Sequence, residues 1–207
     1  MKVILGQRFN IIKKIATTRF STIYLGQDMK SYNYVALKLE PFNSDFPQLD
    51  IEYNFLQRFQ KVVGFPKLYH YGYESDYRLL AIEYFEYSLQ DLFEKCNNKF
   101  SLKTVLMIAD QVISRLEYIH KYDQIHRDIK PENFMYNERE KIIYAIDFGF
   151  FKKSSRSRSL NQASHSKLKK KSFTGTLRYA SINALNGKDQ CKRDDLESLA
   201  YMLIFLL

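Results

Sequence analysis

The chain has 207 residues, of which 45% are hydrophobic, and this is enough to bury a core in one ordinary domain or two small ones, which excludes disorder throughout. Its two cysteines, Cys96 and Cys191, cannot form a disulfide framework, so a reducing compartment is expected. The formal charge of +9 is concentrated in residues 152–171, where eight Lys and Arg residues stand without a carboxylate, and we expect an exposed loop there that attracts anions.

The apolar runs of the chain are too short for secretion or membrane insertion. Val3 to Leu5 falls far below the roughly 7–15 apolar residues of a signal peptide. Leu199 to Leu207, the longest run, has nine residues, whereas a spanning helix needs about 20. We therefore expect a cytoplasmic protein, with the nucleus as the alternative location.

The first part of the chain is typical of short strands that are separated by polar turns. Stretches rich in Ile, Tyr, Val and Leu predict an antiparallel meander over residues 9–16, 22–28 and 34–40. Helical spacing then predicts a helix over residues 48–60, with an apolar stripe of Leu49, Tyr53, Leu56 and Phe59. Strand-like composition returns over residues 67–73 and 77–85.

From Ser88 onward the pattern becomes helical. Ser101 is a suitable N-cap for a helix that ends at Lys121, with an apolar stripe of Val105, Ile108, Val112, Leu116 and Ile119. Short strands are predicted over 134–136 and 142–146, and a last helix from about Asp194. The predicted class is α+β, with a β-rich N-terminal lobe over residues 1–87, a mainly helical C-terminal lobe over 88–207, a cleft between them and a hinge at 83–88.

The most specific segment is His126-Arg127-Asp128-Ile129-Lys130-Pro131-Glu132-Asn133. Asp147-Phe148-Gly149 follows it, while Val35-Ala36-Leu37-Lys38 lies on the third predicted strand and Glu52 on the next helix. In this order the segments resemble the catalytic loop, the metal-binding triplet, the phosphate-binding Lys and its Glu partner in protein kinases. The resemblance implies a two-lobe kinase fold.

The same resemblance implies a site for ATP and Mg²⁺. Lys38 would hold the α- and β-phosphates, and Glu52 would fix the Lys side chain through an ion pair. Asn133 and Asp147 would be the metal ligands. Phosphoryl transfer requires positioning and charge neutralisation more than covalent chemistry, so a Lys, carboxylates and an amide are the residue types that it needs.

The resemblance also assigns the residues closest to the transferred phosphoryl group. Asp128 would orient the substrate hydroxyl and accept its proton, Lys130 would neutralise charge, and Thr176 would bridge these two side chains. Lys130 and Thr176 favour a serine/threonine kinase over a tyrosine kinase. Asp195 would tie the last helix to the backbone of the catalytic loop.

Resemblance and apolar character together predict the pocket for the base and the ribose of ATP. The residues expected around the adenine, including the back of the pocket and the hinge backbone, are Ile15, Ile23, Ala36, Met135, Ile82, Glu83 and Phe85. Ser88 and Asp91 would lie near the ribose.

The end of the predicted activation segment indicates a subfamily. Residues 174–183 read Thr-Gly-Thr-Leu-Arg-Tyr-Ala-Ser-Ile-Asn, where most protein kinases have Ala-Pro-Glu. This stretch is similar to casein kinase I, as is Ser88 to Phe93, and the likeness runs from Arg8 to the last residue. It implies substrates with acidic or phosphorylated residues and an anion site that includes Lys171 and Arg178.

Two features depart from the kinase pattern. Ala16, Thr18 and Ser21 replace the three glycines of the loop that covers the phosphates, where glycine lets backbone N–H groups approach an anion. If one of these residues is strained, we expect nucleotide binding to be weaker by about 1–2 kcal/mol. The chain also stops inside the last predicted helix, which implies an incomplete C-terminal lobe. We therefore expect four apolar side chains to lack packing partners and to be exposed: Leu203, Ile204, Leu206 and Leu207.

Three functions remain open. The first is an active serine/threonine kinase, which we expect to be a monomer that acts on acidic or phosphorylated proteins. The second is a pseudokinase or an inactive fragment that serves as a scaffold for nucleotide or partners, and the replaced glycines favour it. The third is nucleic-acid binding by the basic segment, which is not expected because that segment lacks interleaved aromatic residues. No membrane partner is expected.

Overall fold

A computed structural model describes residues 4–5, 7–18, 20–153 and 175–207. The chain divides into two compact units: Met1–Glu86 with Ile146–Gly149, and Tyr87–Ala145 with Phe150–Leu207. The Asp-Phe-Gly triplet therefore belongs to the first unit, although residues of the second unit precede it in the chain. Within the described residues, no helix combines the length and the apolar character needed to cross a bilayer.

The first unit contains one six-stranded antiparallel sheet. Its strands are β1 (Ile4–Leu5), β2 (Phe9–Thr17), β3 (Thr22–Asp28), β4 (Tyr34–Pro41), β5 (Leu68–Glu74) and β6 (Tyr77–Glu83). The strand order is β1-β2-β3-β4-β6-β5, and helix α1 (Gln48–Phe59) connects β4 to β5. The predicted meander and the predicted helix after it are confirmed.

One face of this sheet carries a buried apolar cluster. Its members are Phe9, Val35, Leu37, Leu79 and Ala81. Side chains of a strand alternate between the two faces of a sheet. Because Leu37 belongs to the cluster, its neighbour Lys38 projects from the opposite face, where it meets α1.

Helix α1 has an apolar face and receives its N-terminal cap from strand β4. The buried residues of this face include Leu49, Phe55, Leu56 and Phe59. Pro47 provides no side-chain cap. Instead, the Glu40 carboxylate accepts hydrogen bonds from the N–H groups of Gln48 (2.9 Å) and Leu49 (3.4 Å). A carboxylate at this end satisfies free N–H groups and interacts favourably with the helix dipole, so β4 determines where α1 begins.

The second unit is mainly helical, which together with the first unit confirms the predicted α+β class. Its helices are α2 (Leu89–Lys95), α3 (Leu102–Lys121), α4 (Ile182–Leu185) and α5 (Lys192–Leu206). Its strands are β7 (Tyr87–Ser88), β8 (Gln124–Ile125), β9 (Phe134–Asn137), β10 (Ile142–Ala145) and β11 (Lys152–Lys153). They form two small sheets, in the orders β10-β9-β7 and β11-β8.

Helix α3 has the boundaries and the buried stripe that the sequence predicts. The Ser101 side chain accepts a hydrogen bond from the Thr104 N–H (3.2 Å) and caps the helix. The buried residues are Val105, Ile108, Val112, Leu116 and Ile119, as expected. The spacing of this stripe directs one side of α3 toward the core of the unit.

The end of α5 differs in part from the expectation that four apolar side chains are exposed. Leu206 is fully buried and Leu203 half-buried, so the expectation is wrong for these two, whereas Ile204 (68% exposed) and Leu207 (48% exposed) agree with it. The last turn of α5 packs on α2 and on the segment between α2 and α3. The Phe205 ring lies 5.0 Å from that of Phe93, and the Phe100 N–H donates to the Leu206 carbonyl (3.0 Å).

Arg8 and Asp28 form a bidentate ion pair in the first unit, between the residue before β2 and the last residue of β3. The Nε and Nη2 atoms of Arg8 lie 2.8 and 2.7 Å from the two Asp28 oxygens, which also accept from Lys30 N–H and the Ser31 hydroxyl. The hydrogen bonds from Arg8 lower the pKa of the buried Asp28 carboxyl well below its usual range. The charged pair therefore stabilises the fold at neutral pH.

Replacing Asp28 with Asn is expected to lower the free energy of unfolding at pH 7 by about 3 kcal/mol. The buried negative charge is lost, whereas Arg8 stays charged and has no carboxylate partner at this position. Asp28 has a depressed pKa in the folded chain, so its contribution is complete above the unfolded pKa of about 3.9 and is lost as the pH falls below it. Urea unfolding at pH 7 and pH 3 measures this, and the difference between wild type and variant should shrink at pH 3. Asp45→Asn, at an exposed site, is the control, and equal urea midpoints for Asp28→Asn and wild type at pH 7 would contradict the prediction.

Candidate functional site

Lys38 and Glu52 form a buried ion pair in the first unit. Lys38 lies on β4, and its Nζ atom is 2.7 and 2.9 Å from the two carboxylate oxygens of Glu52 on α1. Only 5% of Lys38 and 1% of Glu52 are exposed. The ion pair expected from the sequence is therefore present.

The charges around Lys38 favour its protonated form. Burial by itself would lower the Lys38 pKa, but the negative charges of Glu52 and Asp147 outweigh burial and raise that pKa. Burial also raises the pKa of the Glu52 carboxyl, and the Lys38 charge opposes this shift. The two short contacts from one ammonium favour the charged pair over a neutral one, so the site holds a fixed positive charge beside two carboxylates.

Phe148 anchors the segment that carries Asp147. Its fully buried ring stacks on Phe55 of α1, with ring centroids 4.4 Å apart. Asp147 has a left-handed backbone, with φ +63°, which is uncommon for a residue other than glycine and occurs often at functional sites. A Cβ atom on Gly149 would lie 2.9 Å from the Cβ of Gln48, so the third position of the triplet requires glycine.

The residues predicted around the adenine in the first unit follow neighbouring strands. Ile23 pairs with Lys38 across β3 and β4, and Ala36 pairs with Ile82 across β4 and β6. Ile15 is exposed near the end of β2. Glu83 and Phe85 stand at and after the end of β6, and the Glu83 N–H donates to the Lys67 carbonyl (2.9 Å). The Glu83 N–H is therefore already paired within the first unit.

Three side chains of the second unit converge on the Asp128 carboxylate. The Thr176 hydroxyl donates to Oδ1 (2.8 Å), the Lys130 Nζ lies 2.9 Å from Oδ2, and the Asn133 amide donates to Oδ2 (3.1 Å). Asp128 is 3% exposed. Thr176 and Lys130 both contact Asp128, each on a different oxygen, and the carboxylate is held in one orientation as an acceptor. The expected bridge from Thr176 to Lys130 itself stays a prediction.

The backbone of this loop is held by a second buried carboxylate. Asp195 on α5 accepts hydrogen bonds from the N–H groups of His126 and Arg127, both 2.9 Å, which confirms the predicted tie. His120, at the end of α3, adds a contact of 2.8 Å to the same carboxylate. Arg127 has φ +71° and donates from Nε to the Phe150 carbonyl (2.6 Å). Two residues of the loop are thereby fixed next to Asp128.

His120 and the backbone contact of Arg127 were not singled out by the sequence. A His at the end of an amphipathic helix is common and has no distinctive local pattern, and a guanidinium that donates to a distant carbonyl leaves no sequence signal. The sequence pointed to this region only through Asp195, which the kinase resemblance tied to the backbone of the catalytic loop.

Ser88, Asp91 and Met135 occupy neighbouring positions in the second unit. Ser88 pairs with Met135 between β7 and β9. Ser88 and Asp91 cap helix α2 reciprocally: Asp91 Oδ2 accepts from the Ser88 N–H (2.7 Å), and Ser88 Oγ accepts from the Asp91 N–H (3.1 Å). The pattern Ser-Leu-Gln-Asp carries this capping signal, which adds a structural role to two residues predicted near a ribose.

The predicted anion site can be described only at Arg178. The Arg178 side chain is exposed, and its guanidinium carbon lies 4.8 Å from the centre of the Phe205 ring. Such a contact leaves the charge open to solvent on one side. Lys171 lies outside the described residues, as does the basic segment apart from Lys152 and Lys153.

The residues present have suitable chemistry for a nucleotide with Mg²⁺. Mg²⁺ prefers oxygen ligands and keeps several from water and phosphate, so one or two protein ligands suffice. Asp147 offers a carboxylate in the first unit. Asn133 donates from its amide nitrogen to the backbone carbonyl and the side chain of Asp128, so its Oδ1 is the atom left for a cation. Lys38 carries a fixed positive charge, which has suitable chemistry for a phosphate.

Comparison with protein-family models gives a match over residues 9–207 to the family described as "Protein kinase domain". The matched range contains Lys38 and Glu52 from the first unit and Asp128 and Asn133 from the second. It covers nearly all of the chain.

Replacing Asp195 with Ala is expected to lower the free energy of unfolding by about 3 kcal/mol, because two buried N–H groups lose their acceptor. The His126 and Arg127 amides should then exchange hydrogen faster than in wild type, as residue-resolved exchange measurements will show. Asp110→Ala removes an exposed carboxylate of α3 and is the control. Unchanged exchange at both amides in Asp195→Ala would show that other contacts hold the loop.

Proposed function

The chain belongs to the protein kinase family, and we propose that it is a serine/threonine kinase that resembles casein kinase I and transfers the γ-phosphate of ATP to proteins. The observation that carries this proposal is the Asp128 carboxylate, which receives Thr176, Lys130 and Asn133 at hydrogen-bonding distance. Lys130 and Thr176 are the residues that favour a serine or threonine hydroxyl as acceptor.

Asp128 has the position and the chemistry of a general base. In the proposed reaction, one of its oxygens accepts the proton of the substrate hydroxyl. Thr176 and Asn133 keep the carboxylate from rotating, and Lys130 places a positive charge 2.9 Å from it. Preorganised charge of this kind needs little rearrangement during the reaction. ATP and Mg²⁺, when bound, supply the phosphoryl group and the counter-charge of its oxygens.

Lys38 is the proposed phosphate anchor. Its buried ammonium cannot move away from Glu52 without leaving a charge unpaired in the interior, so its position is set before the nucleotide arrives. Two residues are proposed to contact the adenine: Ile23 on β3, which pairs with Lys38, and Ala36 on β4, which pairs with Ile82. Asn133 and Asp147 are the proposed metal ligands.

Arg178 supports the proposed preference for acidic or phosphorylated proteins. Its exposed guanidinium lies over the Phe205 ring. Arg178 follows Thr176 by two residues, and Thr176 contacts the proposed base. A fixed cation at this distance along the chain suits a substrate that carries negative charge near the reacting hydroxyl. Lys171 is proposed to add to this site, and the protein is proposed to act as a monomer.

A pseudokinase that binds nucleotide or partners without transferring phosphate is the second candidate. The replacement of three loop glycines by Ala16, Thr18 and Ser21 favours it. None of these three residues has a positive φ, so the strain that we expected to weaken nucleotide binding is absent. The intact contacts of Lys38 and Asp128 favour the kinase.

The kinase proposal predicts different effects for two substitutions. Asp128→Asn removes the base but leaves Lys38 in place, so the rate should fall on the order of 10²-fold or more while Mg-ATP binding persists. Lys38→Met should weaken Mg-ATP binding as well as lower the rate. Transfer from labelled ATP to an acidic protein and a thermal-shift titration with Mg-ATP measure the two effects.

Asp147→Asn serves as the blank of this assay, and Glu132→Ala as the control, because Glu132 is an exposed residue of the same loop. Glu132→Ala should retain most of the wild-type rate. Equal rates for wild type and Asp128→Asn contradict the kinase proposal, and Mg-ATP binding by wild type without any transfer supports the pseudokinase.

Charge reversal at the proposed anion site should change substrate preference. The double variant Arg178→Glu, Lys171→Glu is expected to reduce the ratio of rates for a phospho-primed peptide over its unphosphorylated twin. The reduction should be largest at low salt, since screening weakens such attraction at higher ionic strength. The same ratio in wild type and variant would show that these residues do not read the substrate.

A further inference from the structure

The tip of the β2–β3 hairpin is closed by the side chain of Thr18. The Thr18 N–H donates to the Ser21 carbonyl (2.8 Å). Thr18 Oγ1 accepts hydrogen bonds from the N–H groups of Phe20 (3.2 Å) and Ser21 (3.0 Å). Its own proton can go to the Ser21 carbonyl (3.1 Å), and the Ser21 hydroxyl lies 3.1 Å away. One hydroxyl oxygen thus takes both amides.

Two successive backbone N–H groups that point at one oxygen form an anion-binding concavity. Such groups are commonly met by phosphate or carboxylate oxygens, which carry more charge than a hydroxyl and accept stronger hydrogen bonds. In this hairpin the oxygen comes from the chain itself. The exposed tip of the turn is therefore already satisfied without a ligand.

We propose that Thr18 Oγ1 occupies an anion-binding site formed by the Phe20 and Ser21 amides, and that it thereby limits the affinity of the chain for the phosphates of ATP. This inference rests on the proposed function, because it concerns the nucleotide of that reaction. It also gives a physical role to Thr18, which stands in place of a glycine. The Thr18 hydroxyl provides an internal acceptor for the two amides in place of a ligand oxygen, and the Thr18 backbone has no positive φ.

The Thr18 hydroxyl should lower the affinity only for ligands that carry phosphate. A hydrogen bond that the Thr18 hydroxyl makes within the turn competes with one that the same amides would make to a phosphate oxygen. Such a bond in water contributes a modest free energy, which corresponds to about a threefold to tenfold change in affinity. Adenosine, which has no phosphate, should bind with the same affinity whether or not the hydroxyl is present.

Thr18→Val tests this directly, because valine keeps the branched shape of threonine and removes the hydroxyl. Calorimetry should give an Mg-ATP dissociation constant about threefold to tenfold lower for Thr18→Val than for wild type, and an unchanged constant for adenosine. Thr18→Ser restores the hydroxyl and should return the Mg-ATP constant toward wild type. Thr17→Val makes the same change at the exposed neighbouring residue and is the matched control.

Amide hydrogen exchange gives a second measurement that does not depend on activity. In wild type, addition of Mg-ATP should leave the exchange of the Phe20 and Ser21 amides nearly unchanged, since Thr18 already holds them. In Thr18→Val, both amides should exchange faster without nucleotide and more slowly with it.

The possible results distinguish a failure of this inference from a failure of the proposed function. Equal Mg-ATP constants for wild type, Thr18→Val and Thr17→Val overturn this inference and leave the proposed function intact. Equal tightening of Mg-ATP and adenosine in Thr18→Val also overturns it, because the effect would not concern phosphate. Failure of wild type and all variants to bind Mg-ATP overturns the proposed function, and the inference with it.

Discussion

The first unit is organised by the need to bury the ammonium of Lys38. An unpaired charge in an interior is costly, so the β4 strand that carries Lys38 requires a carboxylate at a fixed place. Glu52 supplies it from α1, and α1 is held in turn by Glu40, which caps it from the same strand. Phe148 packs on this helix and brings Asp147 near Lys38. One buried charge thus accounts for a cap, a helix position and the site of a second carboxylate.

The second unit follows the same principle with carboxylates in the interior. Asp195 and Asp128 are both nearly inaccessible to solvent, and each is surrounded by donors. Asp195 accepts two backbone amides, besides its contact with His120, and therefore fixes the shape of the loop. Asp128 meets the side chains of Thr176, Lys130 and Asn133, which hold its carboxylate in one orientation. In the proposed function, Asp195 has the structural role and Asp128 the chemical one.

Much of the fold and of the site could be predicted from the sequence because local patterns determine it. The stripe of α3 and the three-stranded meander follow from periodicity, and the motif order placed Lys38 and Asp128 on the elements where they occur. Burial at the end of α5 was missed because this turn contacts residues about a hundred positions earlier in the chain: Phe205 meets Phe93, and Leu206 accepts a backbone hydrogen bond from Phe100. The spacing of Ser88 and Asp91 is also that of a helix start, and this capping role was not predicted because the kinase resemblance placed both residues near the ribose, which stays a prediction.

The hairpin tip shows most clearly why a motif departure cannot be judged from residue type alone. Glycine at such a position provides freedom of φ and access to N–H groups, and its loss suggests strain. Thr18 adopts no left-handed backbone, so strain is not the consequence. The hydroxyl instead takes the N–H groups that glycine would leave open. Threonine therefore competes with an incoming anion through a hydrogen bond, and the loss of nucleotide affinity depends on how strong an acceptor the hydroxyl is. A phosphate oxygen can displace a hydroxyl, which is a weak acceptor, whereas it could not remove strain from a backbone.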